Sequence, residues 1–324
     1  MPKFWQKIGF LSLVLLPVAL FFKLTVFLRR SLYRLGVLQS RTLRVPVIVV
    51  GNITVGGTGK TPVVMHLANM LAIEGYHPGI ISRGYKGDGN QHEVFDDSLP
   101  DIVGDEPLLI KKNTDCPVWV GPSRYSSGKA LLEKYPHVDV VISDDGLQHY
   151  ALSRNYEVVI VDGMTNFGNN LPLPAGPLRE PINRIAGTDL VIINGEEKPT
   201  LNTSVQKLRM KLEGTIFRSL RNTERTASPE YFHGRTVAAA AGIGNPKRFF
   251  NHLKKLGILA REIHLPDHHK ISTSEINEIK EDVILVTEKD ALKCPQFEGK
   301  ECWFLPVTPV FNDEPIKFIL KKLR

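Results

Sequence analysis

The sequence predicts an α/β protein built on a doubly wound, mostly parallel sheet. Three observations predict this class. Short apolar runs rich in β-branched residues alternate with helical stretches, a glycine-rich loop follows the first run, and a pair of aspartates ends a later one. Alternating strands and helices pack as a parallel sheet covered by helices, and ligands bind at the carboxyl ends of such strands.

Size and composition allow two domains with a substantial core. The chain has 324 residues, of which 42% are apolar and 23% are charged, as in ordinary globular proteins. Its cysteines are Cys116, Cys294 and Cys302, with no C-x-x-C pair. This odd count argues against a disulfide framework and a zinc ribbon, and it indicates a reducing compartment.

The N-terminal part of the chain is basic and apolar. The first 73 residues hold nine Lys and Arg and no Asp or Glu. Residues 8–22 carry no charge, and as a helix they would span roughly 22 Å, less than the ~30 Å hydrocarbon core of a bilayer. Pro17 lies in the middle of this run and would kink such a helix.

Three interpretations fit this N-terminal run. A cleaved signal peptide would need a small-residue cleavage site, which the sequence lacks. A buried core helix is the second alternative. We favour a membrane-associated anchor helix, in a domain of residues 1–35. Basic residues would lie on its cytoplasmic side, where each charge near an anionic leaflet is worth about 1 kcal/mol: Arg29, Arg30, Arg34, Arg41 and Arg44.

The elements of the main domain follow in chain order. Residues 45–50 (VPVIVV) predict a buried parallel strand, in which Pro46 is tolerable because it lies at the strand's start. Residues 60–72 predict a helix with a regular apolar side. Four more runs predict strands of the same sheet: residues 77–82 (HPGIIS), 138–143 (VDVVIS), 157–161 (EVVIV) and 189–194 (DLVIIN).

The last third of the chain predicts a smaller α/β domain. Residues 198–230 are polar, and we place the domain junction in their latter part. Residues 236–244 (TVAAAAGIG) begin a new strand–loop–helix unit, with its helix at residues 246–256, and residues 282–287 (DVILVT) form a further strand. We therefore expect a main domain at residues 36–225 and a second domain at residues 226–324, which closes over the ligand site.

The glycine-rich loop matches the end of the phosphate-loop pattern G-x-x-x-x-G-K-[ST], with threonine in place of the first glycine. Successive N–H groups of such a loop converge on phosphate oxygens, and the following helix N-terminus favours the anion. Lys60 would reach the β- and γ-phosphates of ATP, and the Thr61 hydroxyl would ligate Mg²⁺. The main domain is thus predicted to be P-loop NTPase-like. Its expected nucleotide-binding residues are Thr54, Val55, Gly56, Gly57, Thr58, Gly59, Lys60 and Thr61.

Two aspartates follow the strand predicted at residues 138–143. Asp144 and Asp145 stand where a second, acidic element of a nucleotide site belongs, and both are candidate Mg²⁺ ligands. Adjacent side chains on a strand point to opposite faces, so the two could share a metal only if the strand has ended. A solvated turn at the end of the strand is the alternative.

Further polar residues are candidates for the same site. In residues 104–107 (GDEP), the two acids either cap the following helix or place Asp105 at the site. Residues 267–269 (DHH) form a loop beyond the domain junction that is suited to closure of the second domain. Three arginines would either hold an acidic substrate or form surface ion pairs: Arg83, Arg124 and Arg179.

Seven segments occur in an order that identifies a family. With them, nearly the whole chain resembles the tetraacyldisaccharide 4′-kinases, the lipid A kinases of Gram-negative bacteria. The resemblance implies transfer of the γ-phosphate of ATP to the 4′-hydroxyl of a tetraacylated glucosamine disaccharide 1-phosphate, at the cytoplasmic face of the inner membrane. The segments are residues 51–62 (GNITVGGTGKTP), 82–85 (SRGY), 104–107 (GDEP), 143–149 (SDDGLQH), 173–180 (LPAGPLRE), 266–268 (PDH) and 287–290 (TEKD).

The resemblance also implies roles for individual residues. Asp105 matches the base that accepts the hydroxyl proton, and His268 matches the histidine that orients this base. Two pairs match the phosphate loop and the acidic pair near Mg²⁺: Lys60 with Thr61, and Asp144 with Asp145. Three residues fall in loops near the nucleotide or the lipid headgroup: Gln148, His149 and Arg179.

The expected partners are an acylated disaccharide lipid and the inner-membrane surface, with the chain acting as a monomer. Nucleic acid is not expected, because few aromatic residues interleave the basic ones. The main alternative is a membrane-associated P-loop ATPase of the assembly or regulatory type, without a lipid acceptor. Such ATPases carry a lysine just before Gly-Gly-x-Gly-Lys-Thr, where this chain has Val55. A GTPase would need the lysine of residues 287–290 in another register.

Overall fold

The computed structural model describes residues 2–196, 201, 203–266, 269–294 and 300–323. The chain forms two compact units, Met1–Lys211 with Pro309–Arg324, and Leu212–Thr308. The sequence predicts the junction after residue 225 and a second domain that includes the whole C-terminus. The chain enters the second unit earlier than that and returns to the first unit for its last residues.

The strands of the described residues are numbered along the chain. They are β1 (Val47–Gly51), β2 (Pro78–Ser82), β3 (His92–Val94), β4 (Val118–Val120), β5 (Val140–Asp144), β6 (Tyr156–Asp162), β7 (Leu190–Asn194), β8 (Gln206–Glu213), β9 (Phe217–Ser219), β10 (Thr226–Ala227), β11 (Val237–Ala241), β12 (Arg261–His264), β13 (Val283–Thr287), β14 (Glu301–Leu305) and β15 (Thr308–Phe311).

The α-helices of the described residues are numbered in the same way. They are α1 (Phe10–Val14), α2 (Leu16–Arg34), α3 (Lys60–Ile73), α4 (Pro100–Val103), α5 (Asp105–Lys112), α6 (Arg124–Lys134), α7 (Pro246–Lys255), α8 (Thr273–Glu278), α9 (Glu288–Ala291) and α10 (Ile316–Leu323). Short 3₁₀ helices cover Lys3–Trp5, Ile182–Gly187 and Pro229–Phe232.

The larger sheet places β1 near its middle. Its described strands have the order β15-β8-β7-β6-β1-β5-β2-β4-β3. The pairs from β8 to β4 are parallel, and β3 pairs antiparallel with β4. From β1, the chain first builds the β5 side of the sheet and then the β6 side, so the direction of winding reverses at β1. Such a reversal opens a crevice at the carboxyl ends of the strands, where ligands bind.

The predicted α/β class with a large, mostly parallel sheet is confirmed. All five residues of β1 are buried, which is why this strand consists of β-branched residues and glycine. Pro46 precedes β1, and its carbonyl accepts the hydrogen bond of Val141 N at 3.0 Å. The helix predicted at residues 60–72 is α3, and it begins at the predicted residue, Lys60.

The N-terminal apolar run forms two helices instead of one. The chain leaves α1 at Leu15 and starts α2 at Leu16, so that Pro17 occupies the second position of α2. Proline is tolerated there because the N–H that it lacks would have no partner within the helix. Among the described residues, no helix combines the length and the apolar character that crossing a bilayer requires. The predicted membrane helix of residues 1–35 is therefore not confirmed.

The smaller unit is also an α/β structure. Its described strands form a second sheet in the order β10-β9-β14-β13-β11-β12, in which β11, β12, β13 and β14 pair in parallel. The strand–loop–helix unit predicted to begin with residues 236–244 contains β11 and α7, and the strand predicted at residues 282–287 is β13. Buried residues of α7, among them Phe250 and Leu253, share a core cluster with Trp303 of β14.

Candidate active site

The glycine-rich loop runs from the end of β1 to the start of α3. Gly56 and Gly59 both have left-handed backbone angles, with φ of 121° and 92°. Gly59 directly precedes α3, and a Cβ atom built on it would lie 2.6 Å from Nδ2 of Asn194. A side chain at this position would therefore be strained and would displace a neighbour. The loop ends with the backbone N–H groups of the first turn of α3, which is a suitable arrangement for a phosphate.

Two asparagines at the carboxyl ends of strands form hydrogen bonds with this loop. Asn194, the last residue of β7, donates from Nδ2 to the carbonyl of Thr58 at 2.9 Å. Asn52, directly after β1, donates from Nδ2 to the hydroxyl of Thr58 at 3.3 Å. Asn194 was not among the predicted site residues. The sequence nevertheless marks it, because it is a polar residue at the carboxyl end of a predicted apolar strand, as the two aspartates are at the end of theirs.

The acidic pair divides between two environments. Asp144 is the last residue of β5, and Asp145 has a left-handed φ of 46°, so the strand has ended between them. Oδ1 of Asp145 lies 3.6 Å from Nζ of Lys60. Nη1 of Arg179 donates to Oδ1 and Oδ2 of the same carboxylate at 3.1 and 3.0 Å. Burial alone would raise the pKa of Asp145, but the charges of Lys60 and Arg179 outweigh it and lower the pKa to about 2.

Asp144 is buried, with 1% of its surface exposed. The hydroxyl of Ser82 donates to its Oδ2 at 3.2 Å, while its Oδ1 is buried and has no hydrogen-bond partner among the described residues. Burial, reinforced by the charges of Glu106 and Asp145, raises the pKa of Asp144 to about 7. A buried carboxylate oxygen without a partner fits a hard cation such as Mg²⁺.

The described residues contain no group of three or more His, Cys, Asp or Glu side chains arranged to hold a metal ion by themselves. At nucleotide sites, Mg²⁺ is commonly held by one or two protein ligands and completed by phosphate oxygens and water. Asp144 and the hydroxyl of Thr61, in the first turn of α3, are the residues that fit this partial set.

Asp105 and Glu106 begin α5 and form its first turn. Gly104 precedes them with a φ of 88°, and Asp105 is 6% exposed. The charge of Glu106 raises the pKa of Asp144, so the first turn of α5 lies near the acidic strand end. Asp105 is a predicted site residue, whereas Glu106 was not predicted to act at the site. His268 lies outside the described residues.

The predicted substrate-binding residues lie in different surroundings. Arg124 is buried, and its Nη2 donates to the carbonyl of Asp144 at 3.1 Å. Burial lowers its pKa to about 10, against the opposing effect of Asp144. Arg83 is exposed directly after β2. Gln148 donates from Nε2 to the carbonyl of Asn52 at 2.9 Å, so it holds the residue that follows β1.

His149 lies among positively charged side chains. Burial, and then the charge of Arg124, lower its pKa to about 4, so the imidazole is neutral at neutral pH. Its Nε2 is buried and has no hydrogen-bond partner among the described residues. A neutral imidazole in this position can donate or accept a hydrogen bond with a ligand without adding another positive charge.

A cleft of about 260 Å³ lies between α2 and the segment that contains Arg179. On one side it is lined by Phe22, Lys23 and Val26 of α2, and on the other by the segment that contains Leu178, Arg179 and Glu180. Its walls are mainly apolar, and its polar residues include the same Arg179 that contacts Asp145. The cleft can therefore accept a ligand that has both an apolar and an anionic or polar part.

Comparison with known proteins gives consistent matches over the whole chain. A family model described as tetraacyldisaccharide-1-P 4′-kinase matches residues 11–324. A tetraacyldisaccharide 4′-kinase of Methylobacillus flagellatus is 44% identical over 313 residues, covering 96% of this chain and 92% of the relative. One of Azoarcus sp. is 43% identical over 327 residues, covering 100% of this chain and 95% of the relative. The crystal structure of LpxK from Aquifex aeolicus in complex with ATP is similar with a TM-score of 0.80 and 29% identity, covering 97% of this chain and 100% of that one.

Proposed function

Since the chain belongs to the tetraacyldisaccharide-1-phosphate 4′-kinase family, we propose that it transfers the γ-phosphate of ATP to the 4′-hydroxyl of a tetraacylated glucosamine disaccharide 1-phosphate. This is a step of lipid A biosynthesis. One observation carries the proposal beyond membership of the family. Lys60, at the end of the phosphate loop, shares Asp145 with Arg179, and Arg179 also lines the cleft that reaches α2.

ATP would bind with its phosphates at the loop of residues 54–61. The backbone N–H groups of the loop and of the first turn of α3 would donate to the phosphate oxygens, and Lys60 would contact the β- and γ-phosphates. Thr61 and Asp144 would hold Mg²⁺, which supplies positive charge against the charge that develops on the transferred group. Asp145 is already occupied by Lys60 and Arg179, so we assign it to positioning these two cations instead of to the metal.

The acceptor hydroxyl needs a base within hydrogen-bond reach. We assign this role to Asp105, with His268 as the residue that orients it. Asp105 is buried at the start of α5, in the same turn as Glu106, whose charge acts on Asp144. Phosphoryl transfer depends mainly on positioning and on neutralising charge. The arginines near the acidic pair suit this task. We propose that three arginines, Arg83, Arg124 and Arg179, contact the anionic substrate, and that the neutral side chains of Gln148 and His149 form hydrogen bonds with it.

The test is an assay with labelled ATP and either a lipid A disaccharide precursor or no acceptor. We expect label on the lipid, with a requirement for Mg²⁺. Lys60→Ala serves as the inactive control. Label released only as inorganic phosphate, whether or not the lipid is present, would instead support the ATPase without a lipid acceptor.

We also propose that α1 and α2 rest on the cytoplasmic face of the inner membrane. Large apolar side chains of these helices are exposed, among them Phe10 (83%), Phe21 (67%) and Phe27 (63%). On α2 the opposite side carries Ala19, which is buried, and the cleft residues Phe22 and Val26. A helix with one side on the protein and an apolar side exposed suits a lipid surface, and nearby basic residues favour anionic lipids.

Replacing Phe10 and Phe21 together by serine should weaken binding to vesicles that contain anionic phospholipid at least about tenfold, since burying a phenylalanine side chain is worth about 1.5–3 kcal/mol. Sedimentation with the vesicles measures this. The matched control is Ile73→Ser with Leu259→Ser, which removes two side chains of similar exposure, 74% and 85%, outside these helices. Equal vesicle binding of the two double variants would contradict the proposal.

A further inference from the structure

We propose that Tyr150 is a positioning residue for phosphoryl transfer, acting through Glu180, Gln148 and Arg179 on the acidic pair. The inference rests on the proposed function, and it adds a residue that does not itself touch the nucleotide loop. Each link is a contact between described side chains of the larger unit.

Tyr150 fixes one oxygen of Glu180. The Tyr150 hydroxyl donates to Oε1 of Glu180, whose side chain is buried. The other oxygen of Glu180, Oε2, accepts a hydrogen bond from Nε2 of Gln148 at 3.2 Å. A buried carboxylate needs such donors to remain charged. Nε of Arg184 also lies 3.9 Å from Oε2 of Glu180, so the glutamate is held by Tyr150, Gln148 and Arg184.

Gln148 connects Glu180 to Arg179 by hydrogen bonds. With its Nε2 committed to Glu180 and to the carbonyl of Asn52, its Oε1 is turned towards Nη1 of Arg179, 3.5 Å away. The same Nη1 donates to both oxygens of Asp145. The orientation of the Gln148 amide thus helps to set the guanidinium that holds Asp145 beside Lys60.

The direction of the Tyr150 hydrogen bond is also fixed. Nε of Arg184 donates to the Tyr150 oxygen at 3.3 Å, so the hydroxyl proton is left for Glu180. Arg184 is held in turn by Glu157 of β6, whose two oxygens accept from its Nη2 at 2.5 and 2.7 Å. This anchor lies in the sheet, on the strand next to β1. The positioning path therefore begins in a rigid part of the fold.

The tyrosine ring has contacts of its own that do not involve the hydroxyl. The ring of Tyr33 packs against it with 5.9 Å between centroids, and the guanidinium of Arg154 lies over it at 5.2 Å. Ser40 donates to the backbone carbonyl of Tyr150 at 2.6 Å. A phenylalanine would keep these contacts, so the hydroxyl can be removed without removing the ring.

The test is Tyr150→Phe, with transfer to the lipid precursor measured as kcat and as KM for ATP. We expect kcat to fall roughly tenfold, as losses of groups that orient a site residue do, while KM for ATP stays within about twofold. The matched control is Tyr135→Phe, which removes another tyrosine hydroxyl that donates to a glutamate, Glu93, outside the site. Tyr135→Phe should leave kcat unchanged and should change the Tm about as much as Tyr150→Phe does.

A double-mutant cycle of Tyr150 and Glu180, measured as kcat, distinguishes positioning from a purely structural role. Glu180→Gln alone should lower kcat, and combining it with Tyr150→Phe should add little, because both act on one path. Three results would overturn the proposal: normal kcat in Tyr150→Phe, an equal loss of kcat in Tyr135→Phe, or additive losses in the double variant. A wild-type protein without transfer to lipid would show instead that the proposed function is wrong, and this inference with it.

Discussion

Replacing Asp105 by alanine is expected to lower kcat roughly 10²–10⁴-fold, the usual contribution of a general base. The affinity for ATP should change little, since the nucleotide loop of residues 54–61 does not include this side chain. Asp105 is buried in the first turn of α5, next in the chain to Glu106, whose charge acts on Asp144. The measurement is steady-state transfer of labelled phosphate to the lipid precursor, at saturating ATP and at ATP concentrations around KM.

The competing explanation is that Asp105 only stabilises the N-terminus of its helix, where a negative charge is favourable. Asp101→Ala is the matched control, because Asp101 is an acid in the first turn of the preceding helix, α4, and is exposed. Helix stabilisation alone predicts a small loss of Tm in both variants and normal turnover in both. An Asp105→Ala protein with near-normal kcat would remove this residue from the role of base.

The sequence predicted those parts of the fold whose signal is local. The strands β1, β5, β6 and β7 were found because nearly all of their residues are apolar and buried. The loop after β1 was found because glycines directly before Gly-Lys-Thr are typical of a phosphate-binding loop. β8 was missed, although only Leu208 and Met210 of its eight residues are buried and charged residues alternate with them. This alternation is itself the pattern of a strand with one buried side, whereas the strands predicted from the sequence were all continuous apolar runs.

The arrangement of the candidate site needed contacts that the sequence cannot show. Arg179 reaches Asp145 because its segment lies against the chain that follows β1, where Arg179 N donates to the carbonyl of Ile53 at 2.8 Å and Val55 N donates to the carbonyl of Pro177 at 2.9 Å. These partners are more than a hundred residues apart in the chain. The different surroundings of Asp144 and Asp145 follow from the left-handed backbone of Asp145, which is an unusual conformation for a residue other than glycine.

Asp144→Asn is expected to lower kcat roughly 10²–10³-fold, the range for loss of one group that stabilises charge in the transition state. The same change should raise stability. The pKa of Asp144 is about 7 in the folded protein and about 3.9 in the unfolded chain, so the folded state binds more protons between these values. Stability is therefore lost as pH rises from about 4 and is lowest above about 8, where the buried side chain is charged. Asparagine has no such charge.

The gain in Tm of Asp144→Asn should consequently be larger at about pH 8.5 than at about pH 5, measured in EDTA by thermal unfolding. Adding Mg²⁺ with ATP should stabilise the wild-type protein more than the variant, because the unpartnered Oδ1 of Asp144 is the proposed ligand. Asp162→Asn is the matched control: this carboxylate also ends a buried strand, β6, but its Oδ1 already accepts the backbone N–H groups of Met164 and Thr165. No comparable gain is expected from it. If the gain in Tm of Asp144→Asn did not depend on pH, the charge of the buried Asp144 carboxylate would not be what destabilises the wild-type protein. If Mg²⁺ with ATP stabilised the variant as much as the wild-type protein, Asp144 would be excluded as the metal ligand.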